Sequence, residues 1–168
     1  NGGGGEHAAP SLFTRARVMR PSGLRFDGGG RLWVTSMEAG SGLMCFAGPG
    51  GAGELPPGAL LLRVDLGAPE LFPWDVVVAA TASDPEVDGR GQRVDLLASM
   101  HCGRSCKGLP QEKNCRLVRV AALLPGTSRA EGTAPQPRVV LCLHVPLPGN
   151  LDHANMMCLG RQRGGLGA

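Results

Sequence analysis

The feature that most constrains the fold of this 168-residue chain is a series of short apolar runs separated by glycine-rich turns. Residues 23–26 alternate apolar with polar side chains, Asp27-Gly28-Gly29-Gly30 follows, and residues 31–36 resume the β-prone pattern. Two β-prone runs joined by Asp-Gly are the strongest short-range signal for a β-hairpin. Because no window of eleven or more residues carries a helical stripe with caps, the sequence predicts a fold dominated by β-strands.

The same order of features recurs after about 60 residues. Three pairs of segments correspond in sequence order: Asp27-Gly28-Gly29-Gly30 with Asp88-Gly89-Arg90-Gly91, Thr35-Ser36-Met37 with Ala98-Ser99-Met100, and Leu61-Leu62-Arg63-Val64 with Leu117-Val118-Arg119-Val120. A repeated four-stranded unit is typical of a β-propeller blade. The interval here is longer than the usual blade of about 40–50 residues, which enlarged loops would explain.

We therefore expect an all-β chain that forms a β-propeller fragment of about two and a half four-stranded blades. Residues 1–17 are interpreted as a flexible leader of Gly, Ala and Pro, residues 18–73 and 74–148 as two blades, and residues 149–168 as the start of a third. Propellers close with about four to eight blades, so we expect the remaining blades to come from a parent chain. The alternative is a single β-sandwich or barrel of seven or eight strands.

Composition excludes several other classes of protein. The chain has 27 glycines and 14 prolines, but its hydrophobic fraction is 42% and its charged fraction 18%, which is too apolar for a disordered coil. No apolar run approaches the length of a membrane span, so no membrane association is expected. The arginines are scattered singly and aromatic residues make up 4% of the chain, so no nucleic acid partner is expected either. The cellular compartment stays open.

Residues 20–36 resemble a blade opening of the six-bladed propeller superfamily. That superfamily includes the gluconolactonase and senescence-marker-protein (regucalcin-like) enzymes, strictosidine synthase-like proteins and NHL-repeat proteins. Its pattern is Pro-x-Gly-Leu-x-Phe-Asp, a glycine-rich turn and Leu-Trp-Val, which appears here as Pro21-Ser22-Gly23-Leu24-Arg25-Phe26-Asp27 and Leu32-Trp33-Val34. In such a blade, we expect Phe26 and Trp33 to pack between neighbouring sheets, where large apolar side chains bury the most surface.

The resemblance also implies a function. In the lactonase-like branch, Glu, Asn and Asp side chains hold a divalent cation such as Ca²⁺ or Zn²⁺ on the propeller axis, which polarises the carbonyl of a small ester or lactone and activates water. Asn155 stands where the family's asparagine precedes an inner strand, whereas the family's glutamate falls on Ser22. We therefore expect a metal-dependent hydrolase of a small-molecule substrate. The alternative is a non-catalytic, NHL-like propeller that binds a protein or another ligand.

A second metal hypothesis concerns the histidine and cysteines between residues 101 and 115. His101, Cys102, Cys106 and Cys115 offer four zinc-type ligands, and the spacing of Cys102 and Cys106 suits a ligand pair. The alternatives are a disulfide, Cys102–Cys106 or Cys106–Cys115, and free thiols. The remaining three cysteines occur singly in apolar runs and are expected to be buried core thiols: Cys45, Cys142 and Cys158.

Overall fold

The computed structural model describes residues 13–38, 41–51, 55–67, 71–83, 91–101, 115–125 and 136–145. In these ranges the chain is all-β and contains no helix, as the sequence predicts. The eight strands are β1 Leu24–Phe26, β2 Leu32–Glu38, β3 Ser41–Phe46, β4 Leu60–Val64, β5 Phe72–Ser83, β6 Gly91–His101, β7 Cys115–Pro125 and β8 Arg138–Val145.

The strands form two separate four-stranded antiparallel sheets. The first has the order β1-β2-β3-β4 and the second has the order β5-β6-β7-β8, so within each sheet every strand pairs with the strands next to it in the sequence. Within the described ranges, neither sheet closes into a barrel. The Ser-Met pairs of the repeat fall on equivalent strands, Ser36-Met37 in β2 and Ser99-Met100 in β6. The correspondence of the third pair of segments was wrong, because Leu61–Val64 lies in β4, the last strand of the first sheet, whereas Leu117–Val120 lies in β7, the third strand of the second.

The hairpin between β1 and β2 forms as its sequence predicts. Leu24 lies opposite Val34 and Phe26 lies opposite Leu32. The Asp27 amide donates to the Arg31 carbonyl at 3.0 Å, which closes the turn. Gly30 has a φ of 74°, a conformation that glycine adopts without the steric cost of a side chain.

One strand was not identified from the sequence. β3 begins at Ser41, within the run Gly40-Ser41-Gly42 that favours a turn, and its apolar residues Leu43–Phe46 are consecutive, so they show no alternation. It becomes a strand because it pairs on both sides, with Leu43 opposite Thr35 of β2 and Val64 of β4. Tertiary pairing here overrides weak local propensity.

The main core lies between the two sheets. Alternate residues of β6 and β7 point to it, and Trp33 of the first sheet is fully buried in it, as expected. Side chains from every strand but β1 and β8 contribute, with Cys45 and Val64 from the first sheet. The buried core members in the second sheet are Val76, Val94, Leu96, Ala98, Met100, Val118, Val120, Ala122 and Leu124.

A smaller apolar cluster covers the opposite face of the first sheet. Val34, Met44 and Phe46 form its buried centre. Partly buried side chains pack around them: Phe13, Ala16, Val18, Leu32 and Leu60.

The expectation that Phe26 packs between the sheets was wrong, because its side chain is 59% exposed. Phe26 pairs with Leu32, which belongs to the smaller cluster, so it faces away from the second sheet. It also lies on a three-residue edge strand, where few neighbours cover it. Side-chain alternation, rather than hydrophobicity, decides which of the two aromatic residues is buried.

Candidate functional site

The two ends of the sheet pair have different chemistry. At the end where β1 stops, Asp27 forms a buried ion pair with Arg31, with Nε and Oδ2 2.8 Å apart. The same Oδ2 accepts the indole N–H of Trp33 at 3.0 Å. Arg31 then reaches the second sheet, donating to the Gln92 side-chain oxygen at 2.8 Å and to the Pro125 carbonyl at 2.9 Å.

This cluster links the two sheets, and its hydrogen bonds occupy both oxygens of the Asp27 carboxylate. Oδ1 of Asp27 accepts the amides of Gly29 and Arg31, at 2.8 and 3.1 Å. Both side chains of the ion pair are almost fully buried, with 1% or less of their surface exposed. A carboxylate saturated with donors and closed to solvent stabilises structure and is not available to a substrate. We call this group the inter-sheet clamp.

The opposite end is where β1 and β5 begin, and we call it the opening end. Here the Ser22 hydroxyl donates to the Pro73 carbonyl at 3.2 Å and shares a hydrogen bond of 2.9 Å with the Thr35 hydroxyl. A Cβ on Gly23 would lie 2.8 Å from the Asp75 Cα, so only glycine permits this approach of the two backbones. The two segments that open the sheets therefore lie side by side.

Equivalent serines stabilise the two openings. The Ser36 hydroxyl accepts the Met19 amide at 3.2 Å, and the Ser99 hydroxyl accepts the Asp75 amide at 3.2 Å. These are the serines of the repeated Ser-Met pairs in β2 and β6. The partners of the two serines differ, because Asp75 is the residue directly opposite Ser99 within β5, whereas Met19 precedes β1.

Asp75 is a nearly buried carboxylate at this end. It forms an ion pair with Arg25, with Nη2 and Oδ1 3.3 Å apart and side-chain exposures of 43% for Arg25 and 8% for Asp75. The Val76 amide also donates to its Oδ1 at 2.8 Å. Asp75 therefore holds the Arg25 guanidinium in place while that guanidinium stays open to solvent.

Aromatic side chains lie at the start of β5 and the end of β6. Phe72 and Trp74 are 39% and 38% exposed. The rings of Trp74 and His101 have centroids 5.9 Å apart and planes tilted by 48°, an arrangement that aromatic pairs favour. Large apolar side chains exposed together on one strand indicate a binding surface better than scattered ones do.

The metal hypotheses can be followed only in part. Asn155, Cys102 and Cys106 lie outside the described residues. Cys115 begins β7 opposite His101, and His101 contacts the Trp74 ring. Among the described residues, no group of three or more His, Cys, Asp or Glu side chains is placed to hold a metal ion.

The opening end does not fit the lactonase metal site at the positions that are described. Ser22 replaces the expected glutamate and its hydroxyl is engaged with Thr35 and Pro73. The nearby Asp75 carboxylate is paired with a guanidinium, whose charge opposes the binding of a cation. A hard divalent cation needs several available oxygen ligands, and these two residues do not supply them.

The cysteine predictions divide. Cys45 is a buried free thiol, as expected, whereas Cys142 is free but exposed on the edge strand β8, so the expectation of burial was wrong there. Burial raises the pKa of Cys45 far above its ordinary value, with a contribution from Asp27 and some opposition from Arg31. Burial also raises the pKa of Cys142, and Asp65 adds to this. Cys158 lies outside the described residues.

A charged group lies on the face of the second sheet away from the main core. Asp95 contacts Arg93 and Arg119, each at 3.2 Å. Partial burial acts to raise the pKa of Asp95, but hydrogen bonds and attraction from both guanidiniums outweigh it and hold that pKa below its usual value. This group lies at the surface and is distinct from the buried clamp.

The comparisons with known proteins add no identity. Neither the family models, nor the curated proteins, nor the solved structures give a match to this chain. Among the residues that the structure describes, no helix has the length and apolar character needed to cross a membrane.

Sequence reasoning missed the residues that make the opening end distinctive: Arg25, Phe72, Trp74 and Asp75. No motif marks them, because the site forms only where two segments meet that are 51 residues apart at the Ser22–Pro73 contact. The one local signal is the Phe-Pro-Trp-Asp run at 72–75, which places two aromatic side chains and a carboxylate at the start of a strand.

Proposed function

We propose that the chain supplies adjacent blades of a β-propeller and acts as a non-catalytic binding module through its opening end. Two four-stranded sheets with strands in sequential order are the arrangement that propeller blades require. The close approach of Gly23, directly before β1, to Asp75 in β5 supports side-by-side packing of like blades.

The proposed binding function rests on one observation: the polar groups described at the opening end are already hydrogen-bonded or ion-paired within the protein. The hydroxyl of Ser22 and the carboxylate of Asp75 are both engaged by protein partners. Arg25, Phe72 and Trp74 are left partly open to solvent on that fixed framework. A rigid surface with exposed aromatic and guanidinium groups suits recognition, whereas metal-assisted hydrolysis needs free oxygen ligands.

The test compares metal binding and hydrolysis. The 168-residue protein is dialysed against Ca²⁺, Zn²⁺ or Mn²⁺, its metal content is measured by mass spectrometry, and a panel of small lactones and esters is assayed for hydrolysis. We expect no stoichiometric metal at a hydrolytic site and no turnover above the buffer rate.

An Asn155→Ala variant is the matched control, because Asn155 is the ligand that the lactonase resemblance assigns. Turnover that requires bound metal and is abolished in this variant would overturn the binding module and establish the hydrolase. Turnover that persists unchanged in Asn155→Ala would also overturn the non-catalytic assignment, but it would place the chemistry elsewhere in the chain.

A further inference from the structure

We propose that the segment in front of β1 is exchanged between two copies of this chain, so that the segment of each copy docks on the first sheet of the other. The segment consists of residues 13–19, and we call it the strap. It covers the face of the first sheet that points away from the second sheet. This surface is distinct from the opening end, so strap exchange does not depend on the binding function proposed above.

The face under the strap fits this segment of the chain closely. Phe13, Ala16 and Val18 pack against the buried centre of the smaller apolar cluster. At the amino end of the strap, Gly58 lies against the Phe13 carbonyl oxygen, and a Cβ at residue 58 would collide with that oxygen. Because every copy carries the same strap and the same face, the contacts within one chain also show how a second copy's strap fits.

Few polar contacts hold the strap in place. It has no regular secondary structure, and Arg15 and Arg17 are exposed. Within the described ranges, all its hydrogen bonds to the first sheet involve Met19. The Met19 amide donates to the Ser36 hydroxyl at 3.2 Å, and the Met19 carbonyl accepts that hydroxyl at 3.4 Å and the Met37 amide at 2.8 Å. A segment with so few contacts opens at low free-energy cost, without unfolding the sheets.

The turn that joins the strap to β1 is strained. Arg20 has a φ of 44°, the single positive value among the non-glycine residues that the structure describes. Left-handed backbone is unfavourable for a residue with a side chain, and the following Pro21 restricts Arg20 further to extended conformations. An extended Arg20 relieves this strain but directs the strap away from its own sheet. Short hinges under strain favour domain swapping for this reason.

The chain on the other side of this hinge is fixed. The Ser22 hydroxyl donates to the Pro73 carbonyl at 3.2 Å, and the Gly23 amide donates to the Thr35 hydroxyl at 2.6 Å. The backbone change that exchange requires is therefore confined to residues 20 and 21. Both sheets keep their structure when the straps are exchanged.

The experiment changes the conformational preference of residue 20 in the 168-residue protein. Arg20→Val introduces a β-branched residue, for which positive φ is most unfavourable, and should favour exchange. Arg20→Gly removes the cost of positive φ and should favour the closed monomer. Arg17→Val and Arg17→Gly are the matched controls, because they remove the same side chain from the strap at a residue without positive φ.

Analytical ultracentrifugation measures the dissociation constant of the dimer. We expect Arg20→Gly to dimerise about a hundredfold less tightly than the wild type, since left-handed strain is worth roughly tenfold for each of the two straps. Arg20→Val should dimerise more tightly than the wild type. Both Arg17 variants should dimerise as the wild type does.

Hydrogen exchange at the Met37 amide distinguishes strap exchange from any other dimer. This amide is bonded to the strap, so it exchanges slowly whenever a strap is docked, whichever copy supplies it. In Arg20→Val we expect slow exchange at high protein concentration and faster exchange on dilution, because the dimer dissociates and the strap stays open. The Thr35 amide, bonded to the Gly23 carbonyl at 2.9 Å, is the reference and should not change.

Three results would overturn strap exchange. The first is equal dimerisation of Arg20→Gly and Arg20→Val. The second is a Met37 amide in Arg20→Val whose exchange rate does not depend on protein concentration. The third is an Arg20→Val dimer that persists when Val18→Asp is added, because a carboxylate in the smaller cluster prevents either strap from docking. Circular dichroism shows whether each variant is folded, and the first two results do not depend on Val18→Asp.

Discussion

Replacing Asp27 by alanine tests whether the inter-sheet clamp holds the two sheets together. The substitution removes the acceptor of the Arg31 Nε at 2.8 Å and of the Trp33 indole N–H at 3.0 Å. It leaves the Arg31 guanidinium 99% buried, without the carboxylate that neutralises it. We therefore expect a large loss of stability from a single small change at a turn.

The magnitude follows from the burial of the pair. Removing one partner of a buried ion pair costs about 3–5 kcal/mol, because the remaining charge stays desolvated. A domain of ordinary stability has about 5–15 kcal/mol in total, so the variant should lie close to unfolding at room temperature. The double variant Asp27→Ala/Arg31→Met removes both charges and should therefore be more stable than Asp27→Ala alone.

Urea denaturation followed by circular dichroism and by Trp33 emission measures these differences. A Trp74→Phe background isolates Trp33, since the chain has 2 tryptophans. Arg93→Ala is the matched control, because it breaks the ion pair with Asp95 in which Arg93 is 45% exposed, and such pairs contribute about 0–1 kcal/mol. The reasoning is refuted if Asp27→Ala costs no more than Arg93→Ala, or if the double variant is less stable than Asp27→Ala.

Three further predictions concern single positions. Gly48→Ala should lower the urea midpoint because its Cβ would collide with a backbone carbonyl, whereas Gly50→Ala, with open space around it, should not; equal midpoints would contradict this. Iodoacetamide at pH 8 should label Cys142 in the folded protein and Cys45 only after unfolding, as read by peptide mass mapping; early labelling of Cys45 would show that its burial is wrong. Asp95→Asn should lower stability slightly at pH 7 and make stability fall less steeply with acid below about pH 4. The reason is that the pKa of Asp95 is lower in the folded than in the unfolded protein, so its carboxylate stabilises the fold above the unfolded-state pKa, and this contribution is lost as the pH falls. An unchanged loss of stability in acid would contradict the assigned ion pairs.

Much of the fold was predictable because its signals are local. The Asp27–Gly30 turn needs only its own amides and a glycine at positive φ, and both are written in four consecutive residues. The alternation of apolar residues in β6 likewise follows from the two-residue period of a strand. β3 was missed because its strand character comes from partners on both sides.

The candidate site was much less predictable. The metal hypotheses centred on Asn155 and on the group of His101, Cys102, Cys106 and Cys115, and they stay predictions because most of these residues lie outside the described ranges. The opening end itself came from no motif. Its aromatic and charged groups become neighbours only when the segment before β1 lies against the start of β5.

The sequence by itself determined that this chain is built of β-strands separated by glycine-rich turns, with related segments in its two halves. Periodicity and turn chemistry act over a few residues, so they can be read without knowing the partners. Only the tertiary structure decided that Trp33 is buried while Phe26 is exposed, and that Arg31 spans both sheets while Arg25 stays open to solvent. Those outcomes depend on which face meets the other sheet, a choice made by packing across long separations in the chain.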